Sequence, residues 1–169
     1  MNNIDLNKHI SCTSSSFVRQ ICQYLFDNLK VEHFNYVRQF IDGSEFNLTT
    51  DPEWTKLFIK DKLYEKLVID KPHVGNKNLI NQVKIIPWNL YPHSQVLNCQ
   101  KEFSGICAGI TICFVYEGFT DFFHFGTSLK NYKMQSFYES NADILINFCF
   151  QFKEKASDLI SLSSKWVFA

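Results

Sequence analysis

From Cys12 to Lys30 the apolar residues fall at Phe17, Val18, Ile21, Cys22, Leu25, Phe26 and Leu29. That recurrence predicts a helix with one buried face, and the Ser and Thr residues of "CTSSSF" can cap its start. In "VEHFNYVRQFIDGSEFNLTT" the period changes to two around Asp42-Gly43-Ser44, which predicts two strands joined by a hairpin. Strand parity places Glu32, Phe34, Tyr36, Arg38 and Phe40 on one face, with His33, Val37 and Ile41 on the other.

Helical spacing returns in "TTDPEWTKLFIKDKLYEKL", with Thr50 or Asp51 as cap and Pro52 in the first turn. Trp54, Leu57, Phe58, Leu63 (or Tyr64) and Leu67 form its apolar stripe. Residues 70–81 read as a loop or short exposed helix. "QVKIIPW" reads as a strand stopped by Pro87, and "YPHSQVLNCQKEF" as a helix with Pro92 at its start. In "AGITICFVYE", Ile110, Ile112, Phe114 and Tyr116 share one face, and Thr111, Cys113 and Val115 the other. Neither face is strongly polar, so helices should cover the sheet on both sides. Gly118 turns the chain and "FTDFFHFGTS" returns. "SFYESNADILINFCFQFKEKASDLISLSS" then reads as one long helix.

The order is helix, two strands, helix, strand, helix, two strands, long helix. Five strands joined largely by hairpins imply an α+β domain, an α/β/α sandwich with a five-stranded antiparallel sheet. This is the layout of PAS- and GAF-like sensor domains, which commonly hold a small molecule between sheet and helices. The expectation is a single domain over residues 1–169, with an ordered core over about 12–165.

Composition narrows the function. Aromatic residues are 16% of the chain, with 17 Phe, a load that suits a pocket wall as well as a bulky core. Seventeen basic and 17 acidic residues cancel, and no basic run stands out, so direct DNA binding is not expected. The six cysteines lack metal-ligand or CxxC spacing and read as small core residues of a cytoplasmic protein. No segment has the pattern of a signal peptide or membrane span. Phosphate-loop, GxSxG and HExxH motifs are absent. A Cys107 or Cys113 dyad with His124 is the nearest approach to a nucleophilic enzyme, so a non-enzyme without cofactor or metal is expected.

Two stretches carry a family likeness. "DPEWTKLFIKDKLYEKL" with the later "IIPW", and "EFSGICAGITICFVYEGFTDFFHFGTS", resemble the autoinducer-binding domain of LuxR-type quorum-sensing transcription regulators. The likeness spans residues about 30 to 165. It implies a domain that binds an N-acyl homoserine lactone between the sheet and the helix carrying Trp54, dimerises, and acts on DNA only through a separate helix-turn-helix. On that resemblance Trp54 stacks near the lactone and acyl chain, with Phe58 one turn on, where a Tyr is usual. Trp88 donates its indole N–H to the lactone carbonyl, and Thr127 or Ser128 reaches the amide end. Asp70 is the nearest carboxylate to the position of the family's pocket acid, reached by allowing a small insertion. Phe103, Ile110 and Phe125 complete the expected wall.

Thr50 stands where the family has an aromatic residue, and no helix-turn-helix pattern follows "KWVFA". The chain is therefore expected to be either a sensor fragment or a short form that pairs with a full-length regulator. The apolar first half of the last helix points to a homodimer seam. The rival reading is a ligand-independent, antiactivator-like module that heterodimerises and has a packed interior. A connected cavity of several hundred cubic ångströms would favour the sensor.

Overall fold

The hairpin predicted around Gly43 begins the sheet. In the computed structural model, which describes residues 5–128, 132–162 and 166–167, it joins β1 (His33–Phe40) to β2 (Ser44–Thr49). Gly43 takes a left-handed φ of +83°, and Asp42 Oδ1 accepts the Ser44 backbone N–H at 2.9 Å, which closes the turn. β3 (Val83–Pro87), β4 (Ala108–Val115) and β5 (Phe119–Thr127) follow. All pairs are antiparallel, in the order β3-β4-β5-β1-β2. The first hairpin thus lies beside the last, with His33 opposite Gly126 and Phe40 opposite Phe119.

The structure is the α+β class expected, a five-stranded antiparallel sheet covered by helices on both faces. It adds one short strand: β6 (Trp166–Val167) pairs with Glu45 and Ser44 outside β2, where no strand was expected.

One face receives the N-terminal and the C-terminal helices. The N-terminal helix is three pieces, α1 (Ile10–Thr13), α2 (Ser15–Ile21) and α3 (Gln23–Asn28), interrupted at Ser14 and Cys22, where ψ rises to about zero. The expected long last helix is likewise three pieces: α6 (Tyr132–Ser140), α7 (Ala142–Lys155) and α8 (Ser157–Ser161). Its expected final residues, 163 and 164, lie outside the described residues. Val18, Leu25, Leu145, Phe148 and Phe152 from these helices meet Phe34, Tyr36, Ile110, Ile112, Phe123 and Phe125 of the sheet in one apolar cluster. The strand parity read from sequence therefore holds.

A buried charge fastens α7 to this face. Asp121 on β5 is fully buried; Arg38 Nε and Nη2 donate to its two oxygens at 2.7 and 3.0 Å. The Tyr36 hydroxyl donates at 3.0 Å, and Lys153 Nζ of α7 lies 2.6 Å away.

The opposite face is covered by α4 (Pro52–Lys60), α5 (Gln95–Ser104) and the segment between them. Asp51 is the α4 cap, its carboxylate accepting the Trp54 N–H at 3.0 Å. The helix ends at Lys60, earlier than its apolar stripe suggested, and the chain resumes as a 3-10 turn over Leu63–Lys66. α5 starts after Ser94, whose hydroxyl caps Leu97 N–H, so Pro92 lies outside the helix. Residues 70–81 are turns with a single 3-10 turn at Lys77–Leu79. Among the described residues no helix is long and apolar enough to cross a membrane.

Candidate functional site

On the α4/α5 side the sheet has two halves. Across β3, β4 and β5, Ile86, Cys113, Val115 and Phe122 pack with Trp88, Ile106 and Ile69 as an apolar layer. Across β1, β2 and β5 the same parity delivers polar residues: His33 and Asn35, then Glu45 and Asn47, then His124. Glu45 and Asn47 sit on a strand whose every residue is buried. Such residues need partners from above the sheet.

Above them lies a cavity roofed by Trp54, Thr55 and Phe58 of α4, Leu67 to Asp70, and Ser94, Val96, Leu97 and Gln100 at the start of α5. It encloses about 70 Å³, widening to about 710 Å³ when its mouth and the gaps between lining side chains are counted. The enclosed figure is the room a bound group has. It corresponds to roughly five water molecules, short of the several hundred cubic ångströms expected for a drug-sized ligand.

The polar lining is unsatisfied. His33 Nδ1, Asn35 Oδ1, Asn47 Oδ1, Asp70 Oδ1 and Gln100 Nε2 are buried without a hydrogen-bond partner, and all five residues line this cavity. A buried polar atom without a partner costs about 1–3 kcal/mol. Folding brings five of them to one place, where waters or a bound group would supply the partners.

A hydrogen-bonded relay borders the cavity. Trp88 Nε1 donates to Thr111 Oγ1 at 2.8 Å, and that oxygen is 2.8 Å from His124 Nδ1. Thr111 Oγ1 thus links the indole to the imidazole. Nε2 is 3.6 Å from Asp70 Oδ2, too long for a full hydrogen bond. Burial holds His124 below the usual histidine range against the pull of Asp70. Burial, with His124 nearby, pushes His33 down to about 3. The Asp70 carboxyl is raised by burial, against the lowering effect of His124 and His73.

The Trp88 ring is seated on two glycines that face each other across β4 and β5, Gly109 and Gly126. A Cβ on Gly109 would meet Trp88 Cε3 at 2.6 Å, and one on Gly126 would meet its Cη2 at 3.0 Å. Only side-chain-free positions let the indole lie this close to the strands.

Of the residues expected at the site, Trp54, Phe58, Asp70 and Trp88 line the cavity. The other four do not. Ile110 and Phe125 pair in register and point into the opposite core, under α7. Phe103 lies at the C-terminal end of α5, 46% exposed, with its ring 5.9 Å from that of Trp54. Thr127 is buried with its hydroxyl donating to Glu32, as does that of Ser128. Trp88 also departs from its expected role, because its N–H is already taken by Thr111. Trp88→Phe should therefore cost about 1–2 kcal/mol of stability in urea denaturation; a variant as stable as the parent would show that the bond contributes nothing.

His33, Asn35, Glu45, Asn47 and Gln100 were not anticipated as site residues, and His124 was considered only as a dyad partner of Cys107 or Cys113. The available signal was polar residues on the inward parity of strands too apolar to be solvated on that side. The two thiols considered for a dyad are otherwise engaged. Cys107 Sγ donates to the Ser128 carbonyl, and burial pushes the Cys113 thiol up to about 12. Among the described residues no group of three His, Cys, Asp or Glu is placed to hold a metal ion.

Glu45 gives the site a pH signature. Burial first, then the charge of Asp70, raises its carboxyl from 4.5 to about 8. The native state keeps that proton while the unfolded chain loses it, so stability falls as pH rises through this window. His33 acts in the opposite sense only below its unfolded value of 6.5. From pH 6.5 to 8 stability should drop by roughly 2 kcal/mol. Glu45→Gln should flatten the profile, measured by urea denaturation across that range.

Compared with protein-family models and with curated proteins, the chain matches none.

Proposed function

We propose that the chain is a small-molecule-sensing domain of a LuxR-type transcription regulator, working in the cytoplasm, that reports an amphiphilic signal in quorum sensing. The observation that carries the reading is the convergence of five unpartnered buried polar atoms on one cavity whose roof is aromatic and aliphatic. The polar end of a ligand would pair with Asp70, Asn35 and Asn47, and its apolar part would lie against Trp54, Phe58 and Val96. Binding to the folded state alone raises stability and favours whichever dimer that state forms. DNA would be reached only indirectly, through a helix-turn-helix domain. Ile144 and Phe150, exposed on α7, are the surface a homodimer would cover.

The test is a thermal-shift series with N-acyl homoserine lactones of increasing chain length, beside an organic extract of the source culture. Ligand at about a hundred times its Kd adds about 2.7 kcal/mol, a shift of roughly 5–10 °C for a domain of this size. The small enclosed volume favours the shortest acyl chains. A response to extract alone keeps the sensor and discards the lactone. The same small volume favours a second reading, a ligand-independent heterodimerising module, and silence from both series would select it.

A further inference from the structure

The charge of the cavity lining is one-sided. Asp70 and Glu45 bring carboxyl groups, 2% and 4% exposed, and no lysine or arginine is among the lining residues. Burial keeps the two histidines, His33 and His124, neutral near pH 7. Glu45 holds its proton at pH 7, so Asp70 is the carboxyl with no cation in the wall to balance it. In most folds buried carboxylates are paired with a cation, because an isolated one is costly to remove from water.

The unpartnered atoms repeat the pattern. Three of the five are acceptors: Asn35 Oδ1, Asn47 Oδ1 and Asp70 Oδ1. A primary ammonium has three N–H donors and no acceptor, so it matches that set in number and in kind. An acyl homoserine lactone offers one N–H and otherwise acceptors, and would leave two of the three unpaired. Trp54, Phe58 and Trp88 supply faces that attract a cation as well as an apolar body.

Resting on the reading of this cavity as a ligand site, we propose that its ligand is a protonated primary amine on a short apolar body, with the ammonium group held by Asp70, Asn35 and Asn47 beside Glu45. The ligand supplies the counter-charge that the fold withholds. Its apolar part runs toward Trp54 and Phe58, at the α4 side of the cavity.

The experiment is isothermal titration of the full chain at pH 7 with three short-chain probes: n-propylammonium, n-propanol and N-butanoyl homoserine lactone. The ammonium should bind at least tenfold more tightly than either neutral probe, and Asp70→Asn should weaken it at least tenfold. Asn47→Ala should weaken it severalfold and carries the test if Asp70→Asn does not fold. Equal or tighter binding of a neutral probe overturns the cation, as does ammonium affinity unchanged in the variants. Lactone binding without ammonium binding leaves the ligand site standing and discards the cation. No binding by any probe, together with no stabilisation by the culture extract, overturns both.

Discussion

Asp121→Ala should lower the stability of the domain by about 3–5 kcal/mol, a fall in Tm of about 10 °C or more. The carboxylate is fully buried and takes hydrogen bonds from Tyr36 and two nitrogens of Arg38, with Lys153 in contact. Removing it leaves two cations facing each other and a phenol without its acceptor. Burial also raises the Tyr36 hydroxyl above the usual tyrosine range, with the Asp121 charge adding to it, so the phenol stays a donor. Arg38 and Lys153 keep 18% and 25% of their side chains exposed, which lets water reach them and draws the cost toward the lower end. Asp121→Asn keeps an acceptor for Tyr36 and should lose less. Urea denaturation of both variants reads the difference, and a cost below about 1 kcal/mol for the alanine would mean that water replaces the carboxylate freely.

Phe152→Ala should cost a similar amount, about 3–5 kcal/mol, for a different reason. Its ring is fully buried, with centroids 4.8 Å from Phe34, 5.6 Å from Tyr36, 6.1 Å from Phe148 and 6.2 Å from Phe123. Those neighbours come from β1, β5 and α7 itself, so no single element can move in to fill the void. Phe150, two residues earlier on the same helix, is the internal control. It is 51% exposed, with its ring 5.1 Å from that of Phe114. At concentrations where the chain is monomeric, Phe150→Ala should change stability by less than about 1 kcal/mol. Equal losses at the two positions would show that α7 is held by its whole surface and not by one face.

The elements were legible in the sequence because each has a local cause. The hairpin at Gly43, the Asp51 cap before Pro52 and the strand stop at Pro87 depend on residues a few positions apart. The breaks at Ser14, Cys22, Asn141 and Ala156 were not legible, since the residues on either side keep helical spacing and each break bends one residue's backbone. Strand parity was also readable, but it sorts residues into two faces without saying which face roofs a cavity. Ile110 and Phe125 were assigned to the site on the resemblance alone, and their register opposite each other moved them together to the other core. Trp54, Phe58 and Asp70 came to the site through the resemblance as well. The polar residues of β1 and β2 reach the cavity only because the first hairpin docks beside the last, a pairing that local patterns do not encode.

That docking sets when the cavity can exist. Its floor joins His33 and Asn47, made early, to His124 on a strand more than seventy residues later, and β1 finds β5 only by closing the loop between them. At a synthesis rate of about 5–20 residues per second, the first hairpin waits roughly 4–15 s for its neighbour. Pairing over such a span is slow to form, and the early strands expose unpaired edges meanwhile. Any group that fits this cavity can meet only the finished sheet, so the period before completion belongs to chaperones and proteases.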